Sequence, residues 1–335
     1  MTKRIEWIDT ARGIGIILVV AGHANRGLIA AGVSSAPVWR TADLWLYTFH
    51  MPLFMLLAGL NILGSLRKGI DPFVRTKLWT VAYPYVLWSL IQGSVMVVLS
   101  GMTNGQTDWA SLAKIGWQPV SPFWFLYALF VFMMLVAFVR NSIVLIALAL
   151  TGLIASAFVS DDTLVHQILY QFSFFLIGVL GADTIKTLRL PWFLVIVFAI
   201  LWVVFVQFLP VYGKAPYLTP TAVPAALAGI ALTLALAQLP RGRMAAALVL
   251  VGQASMTIFV MHILATAGTR IFLLKAHAPL PPAAMFIVCT TAGVGGPLIA
   301  YLVLQRFGLL PVFGLLRPKQ KTDKTMPLAA SKHAM

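Results

Sequence analysis

Long apolar runs, each near the length that crosses a bilayer, recur from one end of the chain to the other. An α-helix rises about 1.5 Å per residue, so about 20 apolar residues span the hydrocarbon core. The pattern therefore predicts an all-α, polytopic integral membrane protein of about ten transmembrane helices. The predicted spans are 12–31, 42–64, 78–99, 122–139, 142–159, 168–185, 191–209, 220–239, 245–270 and 283–304.

The basic residues are divided unequally between the connections on the two sides of the membrane. With the N-terminus in the cytoplasm, 18 of the 24 lysines and arginines fall in cytoplasmic segments and the other six in outer connections. This division agrees with the positive-inside rule, so we expect both termini to be cytoplasmic. It also explains the net charge of +15 without a nucleic-acid partner.

Composition supports the membrane assignment and limits the chemistry. With 60% hydrophobic and 10% charged residues, the chain has too little polar surface for a soluble protein of 335 residues. The single cysteine, Cys289, excludes an intrachain disulfide and a cysteine-based metal cluster, and no spacing typical of metal ligands is found. The polar segment 318–335 is expected to be a disordered cytoplasmic tail that follows a membrane domain at 1–317.

Three histidines lie within predicted spans, where ionisable side chains are costly and usually face the bundle interior. His23, His50 and His262 would lie about 16, 21 and 25 Å from the cytoplasmic ends of their spans. Any one of them alone serves equally well as a hydrogen-bonding contact between helices. Their overlapping depth favours a shared functional site.

Arg12 and His23 share one face of the first predicted helix. They are 11 residues apart, so His23 lies within about 20° of Arg12 around the helix and about 16 Å further along it. Small residues surround this face, among them Gly13, Gly15 and Gly22. They would admit either a closely packed helix or a thin ligand.

Two connections are candidates for further roles. The predicted cytoplasmic loop that carries Arg75 and Lys77 holds the densest basic cluster between spans. It suits phosphate binding, although the positive-inside rule alone would also place cations there. The longest outer loop, 101–121, either covers an extracytoplasmic site or only joins two spans. Buried carboxylates are scarce, which counts against a proton-coupled transporter.

Five segments of the chain resemble the membrane-bound acyltransferase family 3, which includes bacterial sugar and polysaccharide O-acetyltransferases. The first runs from Arg4 to His23 and contains the arginine, ten intervening residues and histidine of the family's N-terminal signature. The others follow in the family's order and are Phe49 to Gly59, Tyr83 to Tyr85, Phe123 to Leu126 and Ser255 to His262. Many members carry Arg-x-x-Arg before the Tyr-Pro pair, where this chain has Lys77 to Thr80.

The resemblance implies an O-acyltransferase of the bacterial inner membrane. It would move an acyl group, most often acetyl, from cytoplasmic acyl-CoA to a hydroxyl at the extracytoplasmic side. Acetyl-CoA would be a co-substrate, and no bound cofactor is expected. The acceptor would be a sugar, a polysaccharide or a lipid-linked glycan, and membrane lipid would surround the enzyme.

The resemblance and the polar residues within the spans together give a set of candidate site residues. The catalytic candidates are His23, Arg12, His50 and His262; the acyl-CoA-binding candidates are Arg12, Arg75 and Lys77; the supporting candidates are Asp9, Asn61 and Ser255. A neutral imidazole at His23 would either take the proton of the acceptor hydroxyl or accept the acyl group itself. The alternatives from other classes are a transporter or flippase of a polar or lipid-linked sugar, and a sensor or structural membrane protein.

Overall fold

The computed structural model describes residues 5–100, 108–120, 122–159, 163–211 and 215–316. Within these ranges the secondary structure is helical and no strand is formed. The α-helices are α1 Glu6–Ala30, α2 Pro37–Tyr47, α3 His50–Gly59, α4 Ile62–Leu66, α5 Ile70–Lys77, α6 Tyr83–Val98, α7 Trp109–Ala113, α8 Trp124–Val139, α9 Ser142–Ser156, α10 Leu164–Leu180, α11 Ala182–Thr187, α12 Phe193–Gln207, α13 Val223–Leu236, α14 Gly242–Gln253, α15 Ser255–Lys275 and α16 Pro282–Arg306. A π-helical segment, Leu78–Ala82, joins α5 to α6.

Several helical segments are suited to a membrane. In the described part of the chain, five are long and apolar enough to cross one, judged by length and composition. These are Glu6–Ala30, Pro37–Leu66, Ile70–Val98, Ser255–Lys275 and Pro282–Arg306. Shorter apolar helices surround them, and α12 buries Val206 while Phe193 and Ile200 are more than half exposed. An apolar surface of this kind is unfavourable in water and suits contact with lipid.

Local sequence explains where several helices begin. The side chains of Asn141 and Thr163 accept hydrogen bonds from backbone amides in the first turns of α9 and α10. Pro37 begins α2 at a position where its missing N–H costs nothing. The π-helical segment directly precedes α6, whose second residue is Pro84. Because Pro84 has no amide to bond back to Thr80, the regular helical ladder is interrupted there.

Helix α1 lies at the centre of the bundle. It buries 14 of its 25 residues and packs against α2, α3, α13, α14, α15 and α16. Near its start, a Cβ atom on Gly13 would collide with the carbonyl oxygen of Leu248 in α14. A Cβ atom on Gly252 would in turn collide with the carbonyl oxygen of Asp9. The glycines therefore let the two helices meet backbone to backbone, which is the packing use of small residues.

The predicted single span at 245–270 is wrong. The segment forms two helices, α14 and α15, which meet at the fully buried Ala254. Ala254 has ψ near 0°, which ends α14. The close contact of Gly252 with α1 fixes the direction of α14 just before this point. The predicted span at 42–64 also differs, because it begins at Pro37 and is interrupted between α2 and α3.

The predicted basic loop is also wrong, because Arg75 and Lys77 lie on a helix, α5. Asp71 stands in the first turn of α5 and the two cations stand in its last turn. Both placements stabilise the helix through its dipole. The count of ten spans and the cytoplasmic termini stay predictions, and the predicted tail at 318–335 lies outside the described residues.

Candidate functional site

The three histidines predicted to share a site come together from three different helices. His23 lies in α1, His50 begins α3 and His262 lies in α15. The ring centroids of His262 and His23 are 4.8 Å apart, and a tyrosine, Tyr47, links the third histidine to them. Tyr47 lies 6.0 Å from His23 and 4.5 Å from His50. We call these four residues the histidine cluster.

Backbone hydrogen bonds fix the tautomer of each histidine in this cluster. The Nδ1 atom lies 3.0 Å from a preceding backbone carbonyl oxygen in His23, and 2.6 Å from one in both His50 and His262. A carbonyl oxygen only accepts, so Nδ1 carries the hydrogen and Nε2 carries the lone pair. The Nε2 atoms of His50 and His262 are buried without a hydrogen-bond partner in the described structure. All three side chains are thus oriented with their basic nitrogen away from their own backbone.

His23 is the histidine of this cluster that lines a cavity. The cavity has a volume of about 410 Å³ and lies where α1 nears its end; we call it the His23 cavity. Aromatic rings of Trp117 and Trp124 and side-chain amides of Gln167 and Gln171 form part of its wall. Such a lining provides flat apolar surface together with hydrogen-bonding groups. A polar molecule with apolar faces would fit this chemistry.

The described part of the long predicted loop, 108–120, lies over this cavity. Trp117 and Gln118 belong to the cavity wall. The hydroxyl of Tyr85 donates to the backbone carbonyl of Ile115, which ties the segment to α6. Ser111 donates to the carboxylate of Asp108 and lowers the pKa of that carboxyl. The described segment thus contributes to the cavity wall, and the predicted cover of an extracytoplasmic site stays a prediction, with 101–107 outside the described residues.

Arg26 provides a second group of side chains at the same cavity. Its guanidinium makes a bidentate pair with Asp43, with Nε–Oδ1 at 2.9 Å and Nη2–Oδ2 at 3.0 Å. Nη2 also donates to the hydroxyl of Tyr217 at 3.1 Å. The guanidinium carbon lies 3.2 Å from the centre of the Tyr47 ring. Four polar or aromatic contacts thus hold one cation beside His23.

Sequence reasoning missed this group because it counted Arg26 among the cations of an outer connection. The structure places it inside α1, one turn beyond His23. Residues three apart on a helix share a face, so the spacing from His23 was a usable signal. The contributions of Asp43 and Tyr217 were not predictable in this way, because both come from other segments of the chain.

Of the predicted donor-side residues, Arg12 lies near the start of α1, whereas Arg75 and Lys77 lie on α5. Arg12 is half-buried and its Nη1 lies 3.3 Å from the Asp9 carboxylate. The supporting role of Asp9 stays a prediction. Lys77 lies 5.2 Å from the ring centre of Phe73, and Arg75 is exposed. Their helix, α5, packs against α4, α8 and the π-helical segment rather than along α1.

Two weaker candidates lie away from the histidine cluster. Asn61 is exposed between α3 and α4, at the opposite end of α3 from His50. Ser255 is half-buried and begins α15, seven residues and about 10 Å of helix before His262. Neither lines the His23 cavity. Within the described ranges, no group of three or more His, Cys, Asp or Glu residues is arranged to hold a metal ion.

The small residues between Arg12 and His23 are covered by protein atoms. Gly22 faces the ring of Tyr47, and backbone atoms of α14 cover Gly13. At Gly15 the covering atoms belong to side chains, those of Leu53 and Phe54. Helix packing therefore explains these positions, with backbone atoms covering Gly13 and side chains covering Gly15 and Gly22.

Residues 5–302 match a family described as an acyltransferase domain, the acyltransferase family 3. The chain belongs to this family. It is 28% identical over 223 residues to Nodulation protein NolL of Mesorhizobium japonicum, which covers 62% of this chain and 57% of that protein. It is 27% identical over 188 residues to Nodulation protein NolL of Sinorhizobium fredii, with 53% and 49% covered. The chain thus spans about half the length of these curated relatives. No solved structure matches it.

Family membership confirms the resemblance drawn from the sequence motifs. The matched region contains the whole histidine cluster, Arg12 and the residues named above in the wall of the His23 cavity. An acyl transfer to a hydroxyl requires a base for the hydroxyl proton and stabilisation of the carbonyl oxygen. The His23 cavity contains a basic nitrogen and a fixed cation that suit these two tasks.

Proposed function

We propose that this acyltransferase moves an acyl group, acetyl in the simplest case, from cytoplasmic acyl-CoA to a hydroxyl of a sugar or glycan at the extracytoplasmic side of a bacterial inner membrane. The observation that carries the proposal is the position of His23. Its Nδ1 is committed to the backbone, so its basic Nε2 is left for chemistry in the wall of a cavity large enough for a sugar ring.

The chemical step uses His23 as a general base. The acceptor hydroxyl attacks the thioester carbonyl carbon as its proton passes to Nε2 of His23, and a C–O bond forms. When the tetrahedral intermediate collapses, the C–S bond breaks and the imidazolium returns the proton to the departing thiolate of CoA. His262 lies behind His23, with ring centroids 4.8 Å apart, and orients that ring without lining the cavity.

The acceptor occupies the His23 cavity. Trp117 and Trp124 offer flat rings on which the apolar face of a sugar stacks. Gln167 and Gln171 offer amide groups that donate to and accept from sugar hydroxyls. This mixed lining supports a sugar or a glycan, or the sugar portion of a lipid-linked glycan, as the acceptor class.

The donor's phosphates bind at the end of α1 that carries Arg12. A guanidinium is well suited to phosphate because it donates two parallel hydrogen bonds. Arg75 and Lys77 on α5 add positive charge to the same side of the membrane, and Asp9 orients Arg12 through their 3.3 Å contact. The unequal division of basic residues in the sequence supports a cytoplasmic location for this end.

The pantetheine arm then follows α1 toward the cavity along the side of Gly15. Gly15 lies within about 60° of Arg12 around the helix. Its cover consists of the side chains of Leu53 and Phe54, whereas Gly13 is closed by backbone atoms of α14. The half-buried Phe54 can turn aside where a packed backbone cannot, so the proposed path follows Gly15 rather than Gly13.

The test is to incubate purified protein with labelled acetyl-CoA and an envelope extract, and to measure free CoA and labelled product by mass spectrometry. Wild type should release CoA in step with acceptor labelling. A transporter would consume no acetyl-CoA, and that result would refute the proposal. A burst of CoA equal to the enzyme concentration before acceptor is added would show an acyl-histidine intermediate instead of general-base catalysis.

A further inference from the structure

The guanidinium of Arg26 has donors that its protein contacts leave unused. Nε and Nη2 bind Asp43, and Nη2 also donates to Tyr217. Among the described residues, no hydrogen bond is made by Nη1, which carries two N–H groups. Arg26 lines the His23 cavity and also a second cavity of about 400 Å³ beside it. Its Nη1 is therefore the guanidinium nitrogen with donors left for a ligand in the His23 cavity.

The position of Arg26 is fixed on several sides. The Asp43 carboxylate accepts from Nε and Nη2, and the Tyr217 hydroxyl accepts from Nη2. The centre of the Tyr47 ring lies 3.2 Å from the guanidinium carbon. On α1, Arg26 follows His23 by three residues, a spacing that brings Cβ atoms to about 5–6 Å from each other. A cation held rigidly beside a base is preorganised to stabilise a negative charge that develops next to that base.

We propose that Arg26 is a further catalytic residue of the acyl transfer, whose Nη1 donates to the thioester carbonyl oxygen as that oxygen becomes an oxyanion. This inference rests on the proposed function. As the acceptor oxygen bonds to the carbonyl carbon, the π electrons of the carbonyl move onto its oxygen, where Arg26 binds them. They return when the C–S bond breaks, so Arg26 neither gains nor loses a proton.

Asp43 and Tyr217 are positioning residues in this scheme, because they touch Arg26 and not the reacting atoms. The bidentate pair keeps Nε and Nη2 occupied, so that Nη1 is the nitrogen left for the oxyanion. Loss of one oxyanion donor typically lowers kcat by about 100- to 1,000-fold. A purely structural ion pair would instead affect folding and leave kcat of the folded protein largely unchanged.

A double variant separates these two roles. Arg26→Met alone leaves a carboxylate without its cation, so it is paired with Asp43→Asn to remove both charges together. The double variant, purified and assayed with acetyl-CoA and envelope extract, should fold, keep its KM for acetyl-CoA within about threefold and lose about 100-fold or more in kcat. Near wild-type kcat in the folded double variant would overturn the proposal.

Chemical rescue adds a readout that a structural role would not produce. Methylguanidinium added to Arg26→Ala should restore part of the lost kcat in a saturable way, whereas methylammonium at the same concentration should restore less because it lacks the planar fork. Equal rescue by both, or no rescue in a variant that is folded, would contradict donation from Nη1. Arg40→Met is the matched control, since Arg40 is exposed and does not line the His23 cavity, although it shares a second cavity of about 400 Å³ with Arg26.

Tyr217→Phe tests the positioning role, because it removes the hydroxyl that Nη2 contacts and retains the ring. It should lower kcat by a smaller factor than the loss of Arg26, with unchanged KM for acetyl-CoA.

Failure of the proposed function looks different from failure of this inference. In the first case wild type transfers no acetyl group, and in the second wild type is active while the double variant keeps its kcat.

Discussion

The two ends of α1 carry similar residue types and are put to different uses. At the end that carries Arg12, an arginine lies 3.3 Å from an aspartate, and glycines bring the backbones of α1 and α14 into contact. At the other end, Arg26 pairs with Asp43 beside a cavity that His23 lines. Both ends therefore have an Arg–Asp pair, and only the second faces a cavity of about 410 Å³.

The difference shows what turns a polar pair in a bundle into a candidate catalytic group. At the Arg12 end, Gly13 and Gly252 bring α14 against α1, and the cavity there, lined in part by Glu6 and Thr10, is smaller, at about 240 Å³. Beside His23, the rings of Tyr47 and Trp124 line the larger cavity. Activity is therefore expected to depend on side-chain chemistry at the cavity, and stability on close packing at the other end.

The largest expected effect is on turnover at the cavity. His23→Ala should lower kcat by about 100- to 10,000-fold, because it removes the general base. His277→Asn is the matched control, since His277 is an exposed histidine outside the cavity and its replacement tolerates the positive φ of 49° at that position. Acetylation assays on both purified variants check the prediction, and comparable activity of the two would contradict it.

Where α1 packs against α14, substitutions are expected to change the free energy of unfolding rather than turnover. Gly252→Ala places a methyl group against the Asp9 carbonyl, and overpacking of this kind costs about 1–3 kcal/mol. Gly295→Ala, in a helix with open space at that position, should be neutral or stabilising. Thermal unfolding in detergent compares the two variants. Equal midpoints would show that α1 and α14 are not held as closely as the structure indicates.

His262 should have an intermediate effect, because it contacts His23 without lining the cavity. His262→Gln should lower kcat by about tenfold, a loss of about 1.4 kcal/mol in transition-state stabilisation. Added to His23→Ala, it should cause little further loss, because it acts through that ring. The four kcat values of this double-mutant cycle provide the measurement. Additive losses would point to an independent role for His262.

The smallest effect is expected from the cations on α5. Replacing Arg75 and Lys77 with Gln should raise the KM for acetyl-CoA a few-fold and reduce its dependence on salt, with kcat unchanged. Arg243→Gln is the control, since Arg243 is an exposed cation on α14. A fall in kcat without a change in KM would exclude a role in donor binding for this pair.

Much of the helical architecture and of the histidine cluster was predictable, because both follow from periodic patterns. Apolar runs placed most of the helices, and depth along those runs brought His23, His50 and His262 to one level. The predicted span ran through the break at Ala254, although Gly252, Gln253 and Ser255 interrupt the apolar run there. The contact that directs α14 comes from α1, and no local pattern shows it. Apolar content reports burial in the membrane and carries little information on where a helix turns.

The electrostatic part of the site was less predictable for a related reason. Arg26 stands near the end of a span, where a cation normally reaches the interface, and its partners come from α2 and from the segment before α13. Arg26 is separated by 17 positions from Asp43 and by 191 positions from Tyr217 along the chain. No local sequence pattern encodes contacts over such distances. Asn61 is the opposite case. It lies within the predicted span 42–64 and was a candidate supporting residue, but it is exposed at the end of α3.

The most direct test of the proposed mechanism is transfer across a sealed membrane. The purified protein is reconstituted in liposomes that contain the envelope acceptor, and labelled acetyl-CoA is added outside. Wild type should acetylate the enclosed acceptor, and His23→Ala should not, while both variants are present at equal density. Labelling that occurs only when donor and acceptor are on the same side, or equally with His23→Ala, would contradict acyl transfer through the bundle at His23.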